Sequence, residues 1–359
     1  MNQFINGGVE NLFITIAKEN IEIKFYLIVL NNNIDNNHLL RLPGNVDFVV
    51  CNKKKYLSRF YFFLQYIRKQ LNDVPVMIDF HETLQSEFFM YINKSKKRCV
   101  HYFNCNPLMR LNGSTRKDFY YHLFSFYEKI ICICKGQSII LNDICPGVQD
   151  RILISYNFVV PAYIRTKSNE CMAIPFNYII MVARVDFKAK DFVTVIKAYE
   201  LLDVSIQNAY KLVLVGDGPD FESLRQIVKE SLVSENIILT GNQPNPYPLI
   251  KNASCFILSS YSEGFGLSVL EAMALGTPVI VSNYLCSANE IVEKDTYGLI
   301  FDIGNAVELA NKITRILTDK NLYLKLSERG KQRAEFYFYS GRKTMREYFK
   351  NSFYLNEKK

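Results

Sequence analysis

Short β-branched runs recur along this chain between stretches whose apolar residues fall three and four apart, so the hydrophobic period switches repeatedly between strand and helix. The runs predict strands near Glu22–Leu30, Val46–Cys51, Val74–Phe80, Arg98–Tyr102, Lys129–Cys134 and Ile152–Tyr156, with helices between them, notably Leu57–Leu71. Pro161, the polar stretch Thr166–Glu170 and Pro175 predict a linker over Val160–Phe176. The pattern then restarts with strand Tyr178–Val185, helix Phe192–Leu202, strand Lys211–Gly216, helix Phe221–Ser231, and strands Ile237–Thr240 and Ser254–Leu258. Helices Ala306–Thr318 and Leu322–Ala334 follow near the end. Strands and helices that alternate in this way predict an α/β chain. Two Rossmann-like domains with parallel sheets are expected to face each other, with a ligand between them at the carboxyl ends of the strands.

The densest signal is Ser259–Asn283, SSYSEGFGLSVLEAMALGTPVIVSN. A loop carrying Glu263, Gly264, Phe265 and Gly266 leads into an apolar helix from about Leu267 to Leu275. Gly276 and Pro278 stop that helix, and the strand Val279–Val281 follows. Glu271 shares a helix face with Leu267, Ala274 and Leu275, where a carboxylate is costly to bury without a hydroxyl or cation partner. The glycines allow backbone N–H groups to approach a ligand, and a helix N-terminus favours an anion. The loop, the helix start and the two carboxylates together suit a sugar that bears a phosphate.

At 359 residues the chain exceeds one core of typical size and suits two domains, and with 49% hydrophobic residues it can fill both. No apolar stretch approaches the length of a membrane span, and the chain start carries no charged segment followed by an apolar one. The nine cysteines are scattered, so a reduced, cytosolic compartment is expected. The four histidines show no metal-ligand spacing and no Asp-x-Asp occurs, so no metal or other cofactor is expected.

Charge is uneven. Through Arg165 there are 20 Lys and Arg against 13 Asp and Glu, so this half carries +7 of the net +8. Lys53–Lys55, Arg59, Arg68 and Lys69 flank the aromatic run Phe60–Phe63 and Tyr66. That combination on a helix suits an anionic membrane surface, and suits equally a basic solvated face above an aromatic core stripe. No nucleic-acid-binding signature appears, and nucleic acid is not expected as a partner.

Other segments also place candidate chemistry at strand ends. Gly7-Gly8 precedes the apolar-periodic helix Leu12–Lys18, an anion-cradling geometry as well as an ordinary helix start. Arg184 ends strand Tyr178–Val185, and Lys188 and Lys190 follow it. Cations are thereby placed just after a buried strand, beside Asp186 and Asp191. Gly216 and Gly218 form the turn after strand Lys211–Gly216, and Asn242 and Gln243 lie in the turn Gly241–Pro246.

Glu263-x7-Glu271, with EGFG before the helix and GTPVIVS after it, resembles the signature of retaining GT-B glycosyltransferases of the family-4 type. The resemblance covers nearly the whole chain and is most specific from Tyr178 to Thr318. It implies a GT-B fold with an interdomain cleft. An acceptor-side domain would span residues 1–165 and a nucleotide-sugar domain 176–335, with a helix in 336–359 that packs back on the first domain. It also implies the roles of the residues. Arg184 and Lys190, or Lys188 in its place, would hold the donor diphosphate. Glu271 would accept hydrogen bonds from the ribose hydroxyls, and Glu263 would lie near the sugar ring. Backbone groups of Gly264, Phe265, Gly266, Leu267 and Ser268 would meet sugar and phosphate. Gly8, Gly216, Asn242 and Gln243 would complete the donor site. His101, or the competing His81, would reach the cleft from the first domain. Asn289-Glu290-Ile291 matches the end of a Gly-Pro-x-Glu-Ile pattern, but Ser287-Ala288 stands where Gly-Pro is expected, which leaves the role of Glu290 open.

The activity implied is metal-independent, retaining transfer of a hexose or N-acetylhexosamine from a nucleotide-diphospho-sugar. UDP is the expected nucleotide, and the acceptor would be a growing bacterial surface oligosaccharide (lipopolysaccharide, O-antigen or capsule) or a lipid-linked one. The expected location is the cytoplasm or, peripherally, the inner face of the cytoplasmic membrane. A non-catalytic sugar-nucleotide-binding partner and a sugar-nucleotide epimerase are the alternatives. The family's first central strand has only Gln3–Ile5 to form it here, so a stunted strand or an upstream start is expected.

Overall fold

A computed structural model of the chain describes residues 8–29, 34, 39–52, 56–71, 74, 76–79, 98–103, 124, 127–170, 174–284 and 286–354. Two compact units divide it: Met1–Asn157 together with Ser340–Lys359, and Phe158–Tyr339. Gln3–Ile5, Gly7 and His81 lie outside the described residues.

In the first unit, strands β1 (Phe25–Val29) and β2 (Val46–Val50) pair in parallel, and β3 (Val76–Asp79), β4 (Arg98–Phe103), β5 (Lys129–Cys132) and β6 (Ile152–Ile154) form a second parallel sheet in that order. Helix α1 (Gly8–Glu19) leads into β1. At its C-terminal end and in the turn that follows, the Asn45 amide reaches Ala17 O, Asn20 O and Ile23 O at 3.0, 3.1 and 2.9 Å. Helix α2 (Tyr56–Gln70) turns Phe63 and Ile67 into the core and leaves Leu57 and Tyr61 exposed. The strand expected over Lys129–Cys134 stops at Cys132. Cys134 instead caps helix α3 (Lys135–Ile144), its Sγ accepting from Gln137 N while the Gln137 side chain accepts from Ile133 N. That exchange resembles a capping box with sulfur in place of a hydroxyl.

The second unit carries a parallel sheet in the order β12-β11-β10-β7-β8-β9. Its strands are β7 (Asn177–Val182), β8 (Tyr210–Val215), β9 (Ile237–Gly241), β10 (Cys255–Leu258), β11 (Val279–Ser282) and β12 (Leu299–Phe301), and helices α5 (Phe192–Glu200), α6 (Val204–Ala209), α7 (Phe221–Glu230) and α8 (Tyr247–Asn252) lie between β7 and β10. β10 and β11 are buried along their whole length, as a parallel strand covered on both faces must be. The chain runs outward from β7 to β9, then crosses back to β10 on the other side of β7. A topological switch point therefore lies between β7 and β10, and the carboxyl ends of such a pair open a crevice for ligands.

Two expectations fail here for physical reasons. The predicted linker contains helix α4 (Pro161–Lys167), because a proline at the first helical position begins a helix rather than breaking one. Arg165 ties α4 into the second unit through Glu335 at 2.7 Å, so the unit boundary falls at residue 157 rather than 165. The helix expected over Leu322–Ala334 runs without a break as Lys320–Tyr354, since no proline or helix-ending glycine interrupts it, and its residues from Ser340 belong to the first unit. There Arg342 pairs with Glu19, and Phe349 packs edge-to-face on Phe25 at 5.6 Å.

Candidate functional site

The site is built on the loops that leave β7 and β10, on either side of the switch point. After β7 the chain passes through Arg184 to Lys190, and Asp191 then caps helix α5 (Phe192–Glu200), its Oδ1 accepting from Thr194 N at 3.0 Å. The loop after β10 lies antiparallel to it, with Lys190 bridged to Ser260. Asp191 N donates to Ser259 O at 3.0 Å and Tyr261 N to Ala189 O at 2.9 Å, so main chain alone fixes the two loops together.

Side chains converge on that bridge. Lys190 Nζ pairs with Glu263 Oε1, with only 15% and 16% of the two side chains exposed. Ser260 Oγ donates to the same Glu263 oxygen at 2.8 Å. Ser282, at the end of β11, holds Ser260 in turn: its Oγ accepts from Ser260 N and donates to Ser260 O, both at 2.8 Å. An ammonium and a carboxylate with so little solvent are held by geometry rather than by bulk attraction. Arg184 is exposed at the strand end, and it pairs with no carboxylate among the described residues. Lys188 is exposed, and its N–H donates to Asp186 Oδ1 at 3.1 Å.

Gly264, Phe265 and Gly266 then enter helix α9 (Leu267–Leu275). Gly266 is left-handed (φ +95°), which a side chain would resist. Gly276, also left-handed, ends the helix. Phe265 turns its ring into the core, edge-to-face on Tyr337 at 5.3 Å, so only its backbone serves the loop. Leu267 and Ser268 open the helix, where N–H groups have no intrahelical acceptor. One turn on, Glu271 accepts from the Tyr247 hydroxyl at 3.2 Å. Burial pushes its carboxyl up to about 7, against the pull of the Tyr247 hydrogen bond.

A loop pair with a lysine, an arginine, two carboxylates and a glycine-led helix start matches what a phosphorylated sugar requires. Residues 174–333 match the family Glycosyl transferases group 1. The chain is 24% identical over 353 residues, 92% of each chain, to the Campylobacter jejuni N-acetylgalactosamine-N,N'-diacetylbacillosaminyl-diphospho-undecaprenol 4-alpha-N-acetylgalactosaminyltransferase. It is 22% identical over 340 residues, 88% of each chain, to the Salmonella typhimurium lipopolysaccharide 1,6-galactosyltransferase. Its fold matches Anabaena HepE, solved in complex with UDP and glucose, with a TM-score of 0.79 at 16% identity, covering 98% of this chain and 97% of that one. Residues 174–333 thus carry a glycosyltransferase group 1 domain, and the fold is GT-B: the chain is a glycosyltransferase.

The remaining expected site residues of this glycosyltransferase divide into groups. Gly216 (φ +140°) would put a Cβ 1.9 Å from Ala183 O, and Gly218 one 2.2 Å from Val185 O. Gly216 N also donates to Gly241 O at 2.9 Å. These glycines let the β8 turn lie against the Arg184 loop, so Gly216 supports the site through backbone packing rather than through a free amide. Asn242 is exposed, and Gln243 Nε2 folds back on Thr240 O at 3.0 Å. Gly8 begins α1 and His101 lies in β4 opposite Asp79 and Ile130, both within the first unit. Glu290 offers its carbonyl to Arg333 and Tyr337, which ties helix α10 (Ala288–Val292) to the long C-terminal helix. Ser260, Ser282 and Tyr247 were not anticipated. The two serines carried a readable signal, Ser282 closing an otherwise apolar strand and Ser260 lying two residues past one, whereas Tyr247 reaches Glu271 across 24 residues.

Proposed function

We propose that this glycosyltransferase transfers a hexose or N-acetylhexosamine from a nucleotide-diphospho-sugar, with UDP as the nucleotide, to a growing bacterial surface oligosaccharide, with retention and without a metal. One observation carries the reading: Lys190, Glu263 and the start of α9 meet at the switch point of the sheet, with Arg184 at the adjoining strand end. Arg184 and Lys190 take the diphosphate. Lys190 leaves Glu263 for the phosphate when donor binds, and Ser260 keeps Glu263 in place beside the sugar. Glu271 accepts the ribose hydroxyls in place of Tyr247.

Cations already fixed at the leaving group supply the electrostatic stabilisation that a divalent ion supplies elsewhere. In this reading Glu263 stays hydrogen-bonded to Ser260 and no carboxylate is given the role of covalent nucleophile. The leaving phosphate oxygen therefore takes the acceptor proton as the glycosidic bond breaks and the new bond forms on the same face. The Campylobacter and Salmonella relatives act on an undecaprenol-linked glycan and on lipopolysaccharide by their names, which supports an envelope acceptor.

The test is the anomeric configuration of the product by NMR, with and without chelator. An α-linked donor is expected to yield an α-linked product at an unchanged rate. A β-linked product overturns retention, and loss of turnover on chelation overturns the metal-free reading.

A further inference from the structure

The loop that leads into α9 is clamped by two hydroxyls that the donor reading does not use. Ser287 Oγ donates to Phe265 O at 2.8 Å, and the Tyr284 hydroxyl donates to the same oxygen at 3.2 Å. Ser287 is fully buried and Tyr284 nearly so, with 0% and 2% exposure. Both come from the segment after β11, which main-chain bonds hold in place: Asn283 N donates to Phe301 O, and Ile291 N to Ser287 O, each at 2.8 Å. Ser287 occupies the position where the resembled pattern has glycine, and a glycine offers no hydroxyl.

The clamped carbonyl belongs to the peptide between Phe265 and Gly266. A trans peptide is planar, so its C=O and N–H point in opposite directions, and a carbonyl held inward sends the Gly266 N–H outward. The same peptide would otherwise turn over at little cost, since glycine tolerates both signs of φ. Replacing Gly266 to stiffen the loop is barred, because a Cβ there would lie 2.5 Å from the Tyr284 hydroxyl. The Phe265 ring on Tyr337 anchors the side chain, but a ring contact does not set the direction of the peptide.

We propose that Tyr284 and Ser287 are positioning residues for the donor: their hydroxyls fix the Phe265–Gly266 peptide so that the N–H groups of Gly266, Leu267 and Ser268 face the phosphate and sugar of a nucleotide-diphospho-sugar. The proposal rests on the donor reading above. It assigns to the altered Ser287-Ala288 stretch a role at the same site, through the backbone of the neighbouring loop.

The experiment titrates UDP, GDP and ADP into the full-length protein, then carries the tightest binder into Tyr284→Phe, Ser287→Ala and the double variant. Each single variant is expected to bind that nucleotide roughly 3- to 10-fold more weakly, the range for losing one buried hydrogen bond, and the double variant at least as weakly as either. Donor KM is expected to rise while acceptor KM stays unchanged. Hydrogen exchange of the amides from 264 to 269 is the second readout: nucleotide should protect them in the wild type and protect them less in the variants. Unchanged nucleotide affinity and unchanged protection in both single variants, even with a lowered melting point, would reduce the two residues to packing and overturn the proposal. A wild type that binds none of the nucleotides would overturn the donor reading itself, and the clamp with it.

Discussion

At the scale of single residues, Glu271 gives the sharpest handle. Its carboxyl ordinarily titrates near 4.5 and burial lifts it to about 7, so the fold favours the protonated form. Its contribution to stability is therefore complete below about 4.5 and falls away as pH rises through 7. Accepting ribose hydroxyls needs the opposite state, the carboxylate. Donor affinity is expected to strengthen as pH rises from 6 to 8, and Glu271→Gln should flatten that dependence; calorimetric titration at several pH values checks both. Gly216 provides a purely structural contrast. With a Cβ 1.9 Å from a backbone oxygen and φ at +140°, Gly216→Ala should cost several kcal/mol, on the order of 3 or more, read as a lower urea midpoint for the second unit. The requirement for glycine at the turn could be read from the strand-turn pattern, but its packing partner could not, because Ala183 lies on a different loop.

At the scale of elements, the β10–loop–α9–β11 unit was legible nearly to the residue. Its strands are apolar throughout, and Gly276 with Pro278 marks the end of the helix unambiguously. Elements that rest on less typical chemistry were misread. Pro161 looked like a breaker and proved to be a helix start, and Cys134 looked like a strand residue and proved to be a cap, since sulfur is seldom used there. The Asn45 amide shows a third kind of hidden support, a side chain about 25 residues away from the helix end it caps. Asn45→Ala should destabilise the first unit by about 1–3 kcal/mol, because buried carbonyls lose their donor. Chemical denaturation followed by near-ultraviolet dichroism would show it.

At the scale of the whole molecule, the alternation of periods announced the parallel α/β architecture, whereas the glycosyltransferase resemblance was carried by the Glu263-x7-Glu271 segment. The boundary between the units and the reach of the last helix were not legible, because tertiary contacts such as Arg165 with Glu335 decide them. The basic excess of the first half bears on location. No helix among the described residues is long and apolar enough to cross a membrane. Helix α2 leaves Leu57 and Tyr61 75% and 64% exposed, with Arg68 and Lys69 at its end. A surface contact with anionic lipid is the expectation that this face supports, with binding to anionic vesicles that falls as salt screens it. Equal binding to neutral vesicles would leave the face as ordinary protein surface. The central claim, that donor chemistry is carried by the loops after β7 and β10 and by Glu271, is tested most directly by steady-state transfer in Arg184→Ala, Lys190→Ala and Glu271→Ala, each first shown to be folded. Turnover is predicted to fall roughly 100-fold or more in each, the scale of losing a key electrostatic group. Folded variants that retain wild-type turnover would place the chemistry elsewhere and contradict the account.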